Sequence, residues 1–152
     1  MLAKIRGRLA ILRKLERPRN YGLLLSIFGL ALVTPWVMHL RLPWVAKQLT
    51  PPARSSSPTQ QQIDQVLTYT DAVIRTFRPL IQDRCLTRGL TRYYFLRRIG
   101  LPVELHFGAG YVDNTFEGHC WLVKDGQAFA EANDLDQPFT LTYQFPSLEQ
   151  SR

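Results

Sequence analysis

A chain of 152 residues has room for one modest domain. Its net charge of +7 is unevenly placed, since Met1–Asn20 holds seven Lys or Arg and one Glu and the remainder is nearly neutral. That arm abuts an apolar stretch and has no aromatic residue among its charges, which suits anionic lipid and argues against nucleic acid. Two cysteines 35 positions apart exclude a disulfide framework and a CxxC pair and point to a reducing compartment.

Within the arm, Leu2, Ile5, Leu9, Leu12 and Leu15 would form an apolar stripe on a helix lying flat on a membrane. From Tyr21 to Leu40 come 20 residues without Asp, Glu, Lys or Arg, as a helix just long enough to span a bilayer. Gly22, Ser26, Gly29, Thr34 and Pro35 weaken that span. The run is too long for a signal peptide, and no small-residue cleavage site follows it. A true span would keep the arm cytoplasmic and put everything after Leu40 outside. The other reading is a helix that covers the domain and continues through LRLPWVAKQL. Membrane association from the cytoplasmic side is the expectation, with a single-pass membrane protein as the alternative.

The Pro- and Ser-rich segment up to Pro58 cannot support a core and marks a boundary. Thr59 and Gln62 form a capping box for a helix with Ile63, Val66, Leu67, Val73, Ile74 and Phe77 on its apolar face. Asp83 or Arg84 leads into a second helix beginning at Cys85, where Leu86, Gly89, Leu90, Tyr93 and Tyr94 recur at helical spacing and Arg88 and Arg92 take another face. Arg97 and Arg98 in its last turn, Gly100 at C′ and Pro102 beyond stop it. Val103, Leu105 and Phe107 alternate as a strand that Gly108 and Gly110 end, and Gly108-Ala109-Gly110 reads as a loop. Asp113 falls in a loop. GHCWLVKDGQAFAE reads as two strands around the Asp125-Gly126 turn, and Phe139, Leu141, Tyr143 and Phe145 mark a last half-buried strand. The expected organisation is a basic arm 1–20, an apolar membrane-associated helical segment 21–49, a linker 50–58, one domain over 59–147 and a tail 148–152. Two helices followed by about four antiparallel strands make that domain α+β.

Two residues carry chemistry. Cys85 at a helix N-terminus feels the positive end of the dipole, which favours the attacking thiolate. His119, 34 positions later, could take its proton and later protonate a leaving amine. Adjacent strand residues point to opposite faces, so His119 and Cys120 are poorly placed to join Cys85 and His106 around one zinc ion, and no metal is expected. The same geometry argues against a Cys85–Cys120 disulfide if His119 faces Cys85. His106 sits on the exposed face of its strand and is not expected to be catalytic.

CLTRGL on a helix, then RRIGLPVELHFGAG, then GHCWLVKDG, resembles the B2-type leader peptidases of lasso-peptide biosynthesis, which are transglutaminase-like. The likeness covers the second half of the chain, from Cys85 into the 140s. It implies a transglutaminase or cysteine-protease-like fold, an apolar helix before it, Cys85 as nucleophile and His119 as general base and acid. Family members commonly read His-Ala-Trp where this chain has His119-Cys120-Trp121, so Cys120 is expected to point away from the site. The third member depends on hairpin register. A two-residue loop pairs Lys124 with Gln127 and leaves Asp134 as the nearest acid on the His119 face. A three-residue loop of Lys124, Asp125 and Gly126 pairs Val123 with Gln127, sets Trp121 across from Phe129 and points Glu131 at His119. Glu131 is the choice, with Asp134 as alternative, and Asp125 is a turn residue.

The resemblance implies a cysteine peptidase that removes the leader from a ribosomally made precursor by acyl-enzyme hydrolysis. Its expected partners are the precursor peptide, a separate leader-recognition protein, the lasso cyclase and a membrane surface, with no nucleic acid. No cofactor is expected, and no phosphate-binding glycine loop is present. ATP dependence would come through partners. The rival readings are an amine-transferring transglutaminase and a non-catalytic membrane-associated scaffold.

Overall fold

The computed structural model describes residues 18–37, 49–51, 57–78, 80–81, 85–130 and 139–146. The apolar stripe of the arm, most of the linker, the LRLPWVAKQL continuation apart from Leu49, Asp83, Arg84, Glu131, Asp134 and the tail lie outside them. The described residues form helices α1 (Pro18–Val37), α2 (Gln60–Thr76) and α3 (Cys85–Arg98), then strands β1 (Glu104–Val112), β2 (Thr115–Lys124), β3 (Gln127–Phe129) and β4 (Thr140–Phe145). The strands make one antiparallel sheet in the order β3-β2-β1-β4. Helix α3 packs on β1 and β2, and α1 and α2 pack on α3 and on each other. The sulfur-bearing helix is therefore the middle layer.

Burial explains that order. Leu90, Tyr93, Phe95 and Leu96 of α3 are buried together with Leu105, Leu122 and Phe145 of the sheet and Ile63, Val66, Val73 and Ile74 of α2. Ile27, Ala31 and Thr34 of α1 face inward, while Tyr21, Leu25, Leu32, Val33 and Trp36 stay exposed on the opposite side. Phe28 closes the inner seam against Phe77, ring centroids 4.6 Å apart. Among the described residues no helix is long and apolar enough to cross a membrane.

The helix ends follow local chemistry. Thr59 and Gln62 form the reciprocal capping box, with the Gln62 amide donating to the Thr59 hydroxyl at 3.3 Å and the Thr59 N–H donating to Gln62 Oε1 at 2.8 Å. Helix α3 stops at Gly100, φ 99°, where Gly100 N–H donates to Arg97 O and Leu101 N–H to Leu96 O, the paired bonds of a Schellman motif. Arg92, expected on another face, is buried. Its guanidinium donates to Asp71 Oδ1 at 2.8 Å and to Ala130 O at 3.0 Å, tying α2 and the end of β3 to α3.

Two strand expectations need correction. Gly108 and Gly110 do not end β1, which runs on to Val112 and turns back at Asp113 and Asn114, φ 48° and 62°, so Gly108-Ala109-Gly110 is strand and not loop. The glycine is there for room: a Cβ on Gly108 would meet Trp121 Cη2 at 2.8 Å and Thr140 O at 3.0 Å. The β2–β3 hairpin takes the two-residue loop, pairing Lys124 with Gln127 and Leu122 with Phe129, so Val123 does not face Gln127 and Trp121 does not face Phe129. Asp125 and Gly126, φ 52° and 76°, adopt the doubly left-handed turn whose twist matches the strands, and no bulge is needed. The described pairing stops at Phe129, and Ala130 follows with φ 58°.

A third irregularity positions the site. The β1–β4 register shifts between Phe107 and Gly108, with Phe107 opposite Tyr143 and Gly108 opposite Leu141. Thr142 is the extra residue of this bulge, and its hydroxyl donates to Phe107 O at 3.0 Å. Side-chain alternation changes phase there, so Tyr143 and Phe145 join Phe107 while Phe139 reaches His119.

Candidate active site

Cys85 opens α3, the position where a thiol meets the unpaired N–H groups of a helix start. Four residues on, Gly89 lets the helix approach the sheet closely, because a Cβ there would lie 3.1 Å from Cys120 Sγ and 3.2 Å from Leu105 Cδ1. This contact brings the first turn of α3 against the middle of β2. There an open pocket of about 190 Å³ is lined by Cys85, Leu86, Phe107, Gly108, Gly118, His119 and Cys120.

Cys85 and His119, 34 residues apart in sequence, thus line one pocket. The Cys85 thiol is pulled down to about 5, first by a hydrogen bond from the Cys120 side chain. The backbone of Cys120, the charge of His119 and a hydrogen bond from its imidazole act in the same direction and together outweigh the opposing effect of burial. The sulfur is therefore mainly thiolate at neutral pH. The His119 ring stacks with two aromatic rings, Trp121 at 6.1 Å and Phe139 at 5.2 Å between centroids. Those rings restrict its rotation.

The expectation that Cys120 points away from the site is overturned. Cys120 is buried, lines the pocket and is the first cause of the depressed Cys85 value. The pairing Phe107 with Cys120 and Leu105 with Leu122 shows why: Cys120 belongs to the face that α3 covers, and Cys85 comes over that face. His119, one residue earlier, belongs to the other face with Trp121 and still reaches the same sulfur. The alternation of Cys120 with Leu122 in the sequence carried this signal. Phe139 beside His119 was not foreseen, since it depends on the Thr142 bulge.

His106 lies apart from the pocket lining, with Nε2 2.8 Å from Glu104 Oε2 and its ring edge-on to Trp121. Glu131 and Asp134 lie outside the described residues, and the register that motivated Glu131 is not the one observed. Among the described residues no group of His, Cys, Asp and Glu is arranged to hold a metal ion.

A family model described as the transglutaminase-like superfamily matches residues 29–144, from the middle of α1 into β4. No curated protein and no solved structure matches the chain.

Proposed function

This chain belongs to the transglutaminase-like superfamily, and from that premise we propose that it is a cysteine peptidase removing the leader from a ribosomally made lasso-peptide precursor. The observation that carries the reading is the Cys85 thiol, held at about 5 beside His119 in an open pocket. The Cys85 thiolate attacks the peptide carbonyl, the His119 imidazolium gives its proton to the departing amine, and water then releases the acyl-enzyme. In this mechanism N–H groups in the first turn of α3 stabilise the developing oxyanion. An acid from the segment after Ala130, Asp134 or Glu131, orients the imidazole.

The leader-peptide substrate rests on the likeness of CLTRGL, RRIGLPVELHFGAG and GHCWLVKDG to that peptidase group. The precursor, a separate recognition protein and the cyclase are its partners in this reading. The outward face of α1, with Tyr21, Leu25 and Trp36 exposed next to a basic arm, supports attachment to an anionic membrane surface. The test is mass spectrometry of a candidate precursor incubated with the full chain and its recognition protein. The expected result is a free leader fragment with the wild type and none with Cys85→Ala. Leader release that persists in the variant overturns the mechanism, and a new amide in place of a hydrolysed bond makes the protein a transferase.

A further inference from the structure

We infer that Cys85 and Cys120 form a peroxide-oxidation site in which Cys120 is the resolving thiol, closing a disulfide that ties up the pocket. The two side chains are hydrogen-bonded to each other and line one pocket, and neither is engaged in a disulfide here. Their accessibilities differ in the way such a pair requires. Cys85 is exposed, whereas Cys120 is 3% exposed and packed beneath α3. A peroxide in solution therefore meets Cys85 first, and Cys120 is reached only by the sulfur already beside it.

The chemistry balances in two steps. The Cys85 thiolate attacks one oxygen of hydrogen peroxide; the O–O bond breaks, hydroxide leaves and takes a proton to become water, and Cys85 becomes a sulfenic acid. The Cys120 sulfur then attacks the oxidised sulfur. The S–O bond breaks, the hydroxyl leaves with the Cys120 thiol proton as a second water, and an S–S bond forms. The two electrons given up by the thiol pair reduce one peroxide. Without Cys120 the sulfenic acid would persist and advance to the sulfinic acid, which simple thiols do not reverse.

This inference is independent of the peptidase reading, because its readout is covalent and needs no substrate. The reduced full-length protein is treated with equimolar hydrogen peroxide and analysed by intact mass and by peptide mapping. The chain has only these two cysteines, and mapping separates them from its two methionines. The expected wild-type product has lost two hydrogens, carries an intramolecular link between the Cys85 and Cys120 peptides and returns to the starting mass with dithiothreitol. Cys120→Ala and Cys120→Ser should instead gain oxygen at Cys85 and label with dimedone, and the wild-type map decides alone if neither variant folds. Wild-type protein that accumulates dimedone-reactive Cys85, or that links only between molecules, overturns the inference.

Discussion

A hydrogen bond from Cys120 comes ahead of the His119 charge in holding the Cys85 thiolate, which assigns a measurable task to a buried thiol. The rate of Cys85 alkylation by iodoacetamide follows the thiolate fraction. In the wild type it should rise with pH through a midpoint near about 5 and be flat around neutrality. Losing the Cys120 donor removes a stabiliser of the charged form, so Cys120→Ala should move that midpoint upward, toward the roughly 8.5 of an ordinary thiol. An unchanged midpoint would show that the backbone of residue 120 and His119 suffice. On the proposed peptidase mechanism, His119→Ala should lower peptide cleavage by roughly 100- to 10,000-fold, the usual worth of a positioned acid–base group, with folding checked by circular dichroism. That Cys85 opens a helix and His119 lies on a strand is legible because a helix start and a strand next to a tryptophan are local patterns. The role of Cys120 is not, because it depends on how deeply Gly89 lets α3 settle onto the sheet.

The elements are held in place by a few contacts that small substitutions can probe. Gly108→Ala puts a methyl group against the Trp121 ring and the Thr140 carbonyl, so the ring must turn aside and β4 must give way. Overpacking of this kind costs about 1–3 kcal/mol, so the melting temperature should fall by several degrees; an unchanged value would mean that Trp121 turns aside freely. Asp71→Ala leaves the buried Arg92 without its carboxylate, and a loss of about 2–3 kcal/mol in urea unfolding is expected. Helix boundaries were readable from Thr59, Gln62 and Gly100 because capping is chemistry among neighbours in sequence. The true end of β1 is not legible in the sequence because glycine usually weakens a strand, and nothing local reveals the tryptophan that needs the space. The β2–β3 register is not legible in the sequence because two loop types share the same Lys124-Asp125-Gly126 and differ by one position. The Trp121–Phe129 pair that favoured the wrong type carried too little energy to choose between them.

Taken whole, the molecule has two apolar surfaces of different destiny. The inner side of α1 belongs to the core, whereas its outer side presents Leu25 and Trp36 to solvent, 70% and 77% exposed. If that side docks on anionic vesicles, replacing both residues with serine should weaken vesicle binding by roughly tenfold or more while leaving the melting temperature unchanged. Equal sedimentation of both proteins with the vesicles would remove α1 from the membrane account and leave the basic arm to explain it. Composition announced α1 as apolar but not which of its faces the protein keeps for itself, because that depends on α2 and α3 lying on one side of it.

Helix α3 has partners above and below, so the proposed nucleophile rides on a layer packed from both sides. Reactivity and architecture should then fail together. On slow heating, the unusual acidity of that sulfur ought to disappear over the same few degrees as the near-ultraviolet dichroism of buried Tyr93 and its aromatic neighbours, with no temperature at which an intact shell surrounds an idle thiol.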